Sequence, residues 1–186
     1  MSLEELWKLF PIMMKEHNPE YKKWYLQEEQ DLINIIGKQN IKRINHIGST
    51  AVNGLLAKPI IDILLEIDNN YDIELLKEIL LKADWLLMSI EMEPTFKLSF
   101  NKGYTTKGFA EKVFHLHVRY FDNWDELYFR DYLIDHNNTA IEYGKLKSTL
   151  KKQYEHNRDE YTNKKSGFIL KYSKIAKQTY RNKYKK

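Results

Sequence analysis

The chain has 186 residues, of which 42% are hydrophobic and 13% aromatic; its formal charge is +4 and it has no cysteine. That composition supports a packed core and argues against disorder, and the lack of thiols excludes a disulfide scaffold, an iron–sulfur cluster, thiolate zinc sites and a cysteine nucleophile. No apolar run approaches the roughly 18 residues that read as a membrane span, and Met1-Ser2-Leu3-Glu4-Glu5 carries no signal-peptide pattern, so a soluble cytoplasmic protein is expected.

Taken in chain order, the spacing of Trp24, Leu32, Ile35 and Ile36 predicts a helix over 21–38, with start signals in Asn18-Pro19-Glu20 and Gly37 near its end. Alternation over 41–47 predicts a half-buried strand, broken by Gly48-Ser49-Thr50. The run 59–67 is β-branched and almost wholly apolar, as expected of a central strand covered on both faces. A helix over 72–83 follows, then strands over 85–90 and 95–100 joined through Pro94, a loop over 102–112 and an alternating strand over 113–120. A helix over 123–136 opens after Asp122-Asn123, and from 139 the pattern is helical, with one break expected around 163–167. This order predicts an α+β fold: a mixed-sheet body over 1–136 with flanking helices, and a basic helical extension over 137–186, in a single domain.

Charge is uneven. From Lys145 to Lys186 there are fourteen Lys and Arg against three acids. Such a tail either attracts polyanions such as nucleic acid or nucleotides, or is a solvated lysine-rich helix packed on the body through Tyr154, Tyr161, Phe168, Tyr172 and Ile175. The packed helix is the more ordinary arrangement, and no basic block is long enough to make a dedicated nucleic-acid arm.

The most informative segment runs from His46 to Glu66. Glycine at 48 allows close backbone approach to a ligand, and Gly48, Ser49 and Thr50 beside a helix start suit an anion. An aspartate at 62, inside Ile60-Ile61-Asp62-Ile63-Leu64-Leu65, is costly to bury without a cation, a donor or a mouth open to water. Period-two geometry puts Lys58, Asp62, Leu64 and Glu66 on one strand face. His115 and His117, two apart on a later strand, also share a face, where they serve either a metal or acid–base chemistry, or simply hydrogen-bond beside a polar pocket.

Gly48-Ser49-Thr50, Gly54-Leu55, Ala57-Lys58-Pro59-Ile60-Ile61-Asp62-Ile63 and His115-Leu116-His117-Val118 resemble the glutamate-rich protein B (GrpB) family, as do Phe129-Arg130-Asp131-Tyr132-Leu133, Glu142-Tyr143, Tyr161-Thr162, Lys164 and Phe168-Ile169. The resemblance spans roughly residues 19 to 172. It implies a nucleotidyltransferase-like fold, that of β-type DNA polymerases. A similar domain is fused to dephospho-CoA kinase in some bacteria, but this chain has no Walker A loop and kinase activity is not implied. The wider pattern there is Gly-Ser, about a dozen residues, then Asp-x-Asp or Asp-x-Glu, with a third acid on a later strand holding two magnesium ions. Here twelve residues separate Ser49 from Asp62, Leu64 replaces the second acid, and His115 and His117 stand where the third is expected. One aspartate with histidines suits a softer ion such as Zn, Mn or Ni better than Mg.

The resemblance thus implies a nucleotide or other phosphorylated small molecule as ligand. Asp62, His115 and His117 are the candidate catalytic and metal-holding residues, with Glu66 as a further ligand, and Gly48, Ser49, Thr50, Lys58 and Arg130 are the candidate phosphate contacts. Open alternatives are a non-catalytic small-molecule or protein-interaction module on the same fold, favoured by Leu64, and a metal-dependent hydrolase. Lys58 is read either as a phosphate ligand or as an ion pair to Asp62, and Arg130 either as an ion-pairing residue or as a substrate contact. His46 either caps the turn or joins the other imidazoles, and Ser49 is a turn or phosphate residue before it is a nucleophile. Lys164 and Lys165 either reach toward a phosphate or are solvated, and His17, His136 and His156 are expected at the surface.

Overall fold

The computed structural model describes residue 5 and residues 8–155, 157–181 and 183–185. Helix α1, Glu20–Ile36, buries Tyr21, Tyr25, Glu28, Leu32 and Ile36, a three- and four-residue spacing that lines one helical face. Gly37 ends it in a positive-φ conformation. Ile35 lies on the exposed side of this helix. Glu28, buried in that apolar face, is tied to Lys102 at 2.7 Å.

Five strands follow: β1 Ile41–Ile47, β2 Ile61–Ile67, β3 Leu86–Glu91, β4 Lys97–Thr105 and β5 Gly108–Tyr120. They form one sheet in the order β1-β2-β5-β4-β3. Only the β2–β5 pair is parallel; the others are antiparallel. Helix α2, Ile73–Lys82, lies between β2 and β3 and is capped by Asp72, whose side chain accepts from the Leu75 amide.

The loop expected over 102–112 is instead a hairpin. β4 and β5 stay paired out to Thr105 and Gly108. The segment reads as loop because this end of the ladder carries polar side chains and contains Gly103, whose positive φ sits at the irregularity between Lys102 and Tyr104.

The sheet's two faces differ. Ile61, Ile63, Leu65 and Ile67 of β2, with Phe114, Leu116 and Val118 of β5 and Leu98 and Phe100 of β4, form the main core with α1 and α2. The opposite face carries Asn45 and Ile47, then Asp62, Leu64 and Glu66, then His115, His117 and Arg119, and then Ser99 and Asn101, matched across the strands. Three helices lie on this side: α3 Asp125–Asp135, α4 Asn137–Gln153 and α5 Arg158–Thr179. Leu127 of α3, with Trp124 just before it and Tyr184 beyond α5, covers Ile47 and Leu64, and the helices pack on one another through Phe129, Tyr143, Phe168 and Tyr172.

The break expected over 163–167 falls earlier. Tyr154 ends α4, and Asn157 caps α5 by accepting from the Glu160 amide. Gly167 sits inside α5 with open space where a side chain would be. Part of the tail's charge is paired with the body: Lys177 meets Asp125 and Lys183 meets Asp131. No helix among the described residues is long and apolar enough to cross a membrane.

Candidate functional site

Parallel register sets Asp62 of β2 beside His115 of β5, with His117 next along the same face. One Asp62 carboxylate oxygen, Oδ1, lies 3.3 Å from His115 Nδ1 and 3.5 Å from His117 Nε2. The three side chains are 21–29% exposed, enough for solvent or a ligand to reach them. Among the described residues they form the sole cluster of three or more His, Asp or Glu with ligand atoms within 4.8 Å of one another. Burial opposes ionisation of Asp62, but hydrogen bonding and charge from the two imidazoles outweigh it and hold its carboxyl well below the usual carboxylate range.

The donor set fits a metal. Donors bound at about 2.1 Å to one tetrahedral ion lie roughly 3.4 Å apart, matching the two observed separations. His115 is also held from behind: its Nε2 is 2.7 Å from the Tyr104 hydroxyl, the kind of outer contact that fixes tautomer and ring orientation in a metal-binding histidine. Tyr104 is wedged in turn against Phe10 and Phe109.

The Gly48-Ser49 turn closes one side of the site. Gly48 has φ +71°, and a Cβ there would collide with the Asp62 carboxylate. Ser49 accepts a hydrogen bond from Lys147 Nζ at 2.8 Å, and the same ammonium donates to the Leu56 carbonyl. Lys147 is 3% exposed. Desolvation, together with the nearby charge of Lys165, pulls its pKa down to about 7 against an opposing pull from Asp62. In the sequence Lys147 reads as one of many lysines in a basic helix, with nothing in its residue type to single it out as a site residue. A hint was available in its helical spacing from Tyr143, which brings two large polar residues to the buried side of α4.

Several expected contacts are placed elsewhere. Thr50 turns inward: its hydroxyl donates to the Ile60 carbonyl at 2.9 Å and accepts from His46 Nε2 at 3.0 Å. His46 caps the turn, stacked on Tyr25, on the opposite sheet face from Asp62. Glu66 is no metal ligand: fully buried, it is held by Arg43 Nε and Nη2 at 2.5 and 2.7 Å and accepts from the Asp122 amide. Leu64 separates it from Asp62.

Lys58 does not share the face of Asp62, because β2 begins at Ile61; its ammonium lies 4.6 Å from the Tyr161 ring centroid and lines a different cavity. Arg130 is occupied structurally, donating to Asp131, Asn45, the His46 carbonyl and Tyr184. Lys165 lies over Tyr161. His17 and His136 are half-buried against Tyr21 and Tyr132, and His156 lies outside the described residues.

Gly48, Ser49, Asp62 and His117 open into a cleft of about 900 Å³, walled by Trp124 and Phe129 of the α3 region, Tyr143 of α4 and the Ser166–Lys177 side of α5. The mixed five-stranded sheet with helices on both faces is a nucleotidyltransferase-like fold. Two solved structures share it: the GLD-2/RNP-8 complex (TM-score 0.53, 17% identity, 98% of this chain and 72% of that one) and terminal uridylyl transferase 4 from Trypanosoma brucei with bound dUTP (0.50, 13%, 95% and 57%). At these identities the likeness is one of fold alone.

The chain belongs to the GrpB family: the family model described as GrpB protein matches residues 11–174. The glutamate-rich protein GrpB of Alkalihalophilus pseudofirmus is 34% identical over 161 residues, 85% of this chain and 91% of that one. The conserved protein GrpB from Enterococcus faecalis superposes with a TM-score of 0.78 at 31% identity, covering 90% of this chain and 99% of that one.

Proposed function

We propose that the cleft binds a nucleotide or another phosphate-bearing small molecule, with one divalent ion held by Asp62, His115 and His117. The observation that carries this reading is the meeting of one carboxylate oxygen and two imidazole nitrogens, at 3.3 and 3.5 Å, where Asp62 and His117 line an open cleft. A divalent ion there supplies Lewis-acid charge to a phosphoryl oxygen. The chain's own groups do the rest. Ser49 offers a hydroxyl to the phosphate, and Lys147, rather than Lys58, supplies the neighbouring positive charge. Tyr104 holds His115 in orientation.

With Leu64 buried in the core and Glu66 consumed by Arg43, a single ion of the Zn or Mn type fits better than a magnesium pair. The same feature favours, as a second reading, single-ion hydrolysis of a phosphate ester. Thermal melting with nucleoside triphosphates, each with Mg, Mn or Zn, separates the readings. A triphosphate-dependent rise in Tm that requires metal and disappears in Asp62→Ala supports the proposal. A rise with metal and no further effect of any triphosphate points to the hydrolase. No response to metal or nucleotide overturns both and leaves a binding module of another kind.

A further inference from the structure

The cleft that Asp62 lines also holds an indole and two polar atoms that lack partners among the described residues. Trp124 is the residue that precedes α3. Its Nε1 donates to the Tyr120 carbonyl at 2.9 Å, fixing the plane of the ring. The ring packs on the cluster of Ile47, Leu64 and Leu127, and the Arg119 guanidinium lies 5.8 Å from its centroid. Trp124 also lines the cleft, together with Asn123 and Ser173. Ser173 is only 1% exposed, yet neither its hydroxyl nor the buried Asn123 Oδ1 has a hydrogen-bond partner among the described residues. Buried polar atoms are normally satisfied, so two orphans lining one cleft mark a place where a ligand's edge completes the pairing.

We infer that the cleft receives a purine or pyrimidine base stacked on Trp124, its edge hydrogen-bonded to Asn123 and Ser173. The inference rests on the reading of the cleft as a phosphate site and narrows its ligand to a nucleotide, against a sugar phosphate or bare polyphosphate. The placement is consistent. Arg119, beneath the indole, is two residues beyond His117 on β5, a span of about 7 Å, comparable with the sugar that separates a nucleotide's phosphate from its base. A planar ligand is what a fixed indole face selects, because every base has a π-face to stack. The cleft lining includes Lys97 and Lys177 as well as Asp125 and Glu126, so charge alone does not explain a preference for a base.

The test compares ATP, GTP, CTP and UTP with inorganic tripolyphosphate by calorimetric titration of the full chain in the presence of Mn or Zn. The expected result is that at least one nucleotide binds at least tenfold tighter than tripolyphosphate. That ratio should collapse toward one in Trp124→Leu, persist in Trp124→Phe and fall at least threefold in Ser173→Ala. Should Trp124→Leu fail to fold, the phenylalanine and Ser173 variants still decide the matter. Nucleotides that bind no tighter than tripolyphosphate, or a ratio untouched by Trp124→Leu and Ser173→Ala, would overturn the base site and leave the phosphate reading intact. Failure of both nucleotide and tripolyphosphate to bind overturns the two together.

Discussion

Gly48 and Asp62 are packed so closely that a methyl group on the glycine would take the space of the aspartate's carboxylate. The positive φ of Gly48 places the turn against the strand, so backbone conformation and side-chain position are coupled at this point. Gly48→Ala should therefore cost about 1–3 kcal/mol for a backbone conformation, φ +71° and ψ −171°, that is almost confined to glycine, and should also push Asp62 away from His115 and His117. The expected outcome is a modest loss of stability in denaturant and at least a tenfold loss of metal affinity. A variant with normal metal affinity would show that Asp62 is not held by this contact.

Two acids on the same strand face should behave in opposite ways. Glu66→Gln breaks a buried pair with Arg43 and should lower stability by about 3 kcal/mol, at the low end of such effects because Arg43 keeps some exposure. Metal affinity should be unchanged. Asp62→Asn should do the reverse, abolishing metal binding while leaving the fold. Parallel chemical denaturation and metal titration of the two variants check both halves.

Lys147 gives a pH signature. Its pKa is lowered from 10.5 to about 7 in the folded chain, so between those values the unfolded state holds a proton that the native state has released. Stability from this group therefore rises with pH across that window, by up to about 1.4 kcal/mol per unit. The burial penalty is fully present below about pH 7 and gone above about 10.5. Lys147→Met should remove this slope from the difference between variant and wild type, measured by denaturation at stepped pH. It should also weaken triphosphate binding at pH 6 to 7, where the ammonium is charged.

His46 acts at the acid end. Burial is the main reason its pKa falls from 6.5 to about 4, so on acidification the unfolded chain takes up the proton first. The contribution is intact above about 6.5 and is lost progressively down to about 4, again by up to about 1.4 kcal/mol per pH unit. His46→Asn should flatten that part of the stability profile. An unchanged acid slope would mean that the imidazole is free to charge in the folded chain.

Much of this was legible in the residues. Alternation marked β1, the apolar run marked β2 as central, and the spacing of His115 and His117 put them on one face, because a strand's period of two survives into any register. The pairing of β5 with β2 rather than another strand is a tertiary fact, and it is what brings the imidazoles to Asp62. The tip of the β4–β5 hairpin was hidden by polar side chains that face solvent on a paired backbone. Glu66 and Arg130 looked available because their partners, Arg43 and Asp131 with Tyr184, include side chains far away in the chain. Lys147 was hidden for the converse reason: only the packing of α4 on the loop carrying Ser49 and Leu56 distinguishes it from the solvated lysines around it.

The most direct measurement is X-ray absorption at the metal edge of the chain loaded with one equivalent of Zn or Mn. The expected spectrum shows two imidazoles and a carboxylate oxygen in the first coordination sphere, with one imidazole lost in His115→Ala, one in His117→Ala and the carboxylate lost in Asp62→Ala. A sphere of oxygens without imidazole scattering, or one unchanged by all three substitutions, would contradict the metal site on which the proposed function depends.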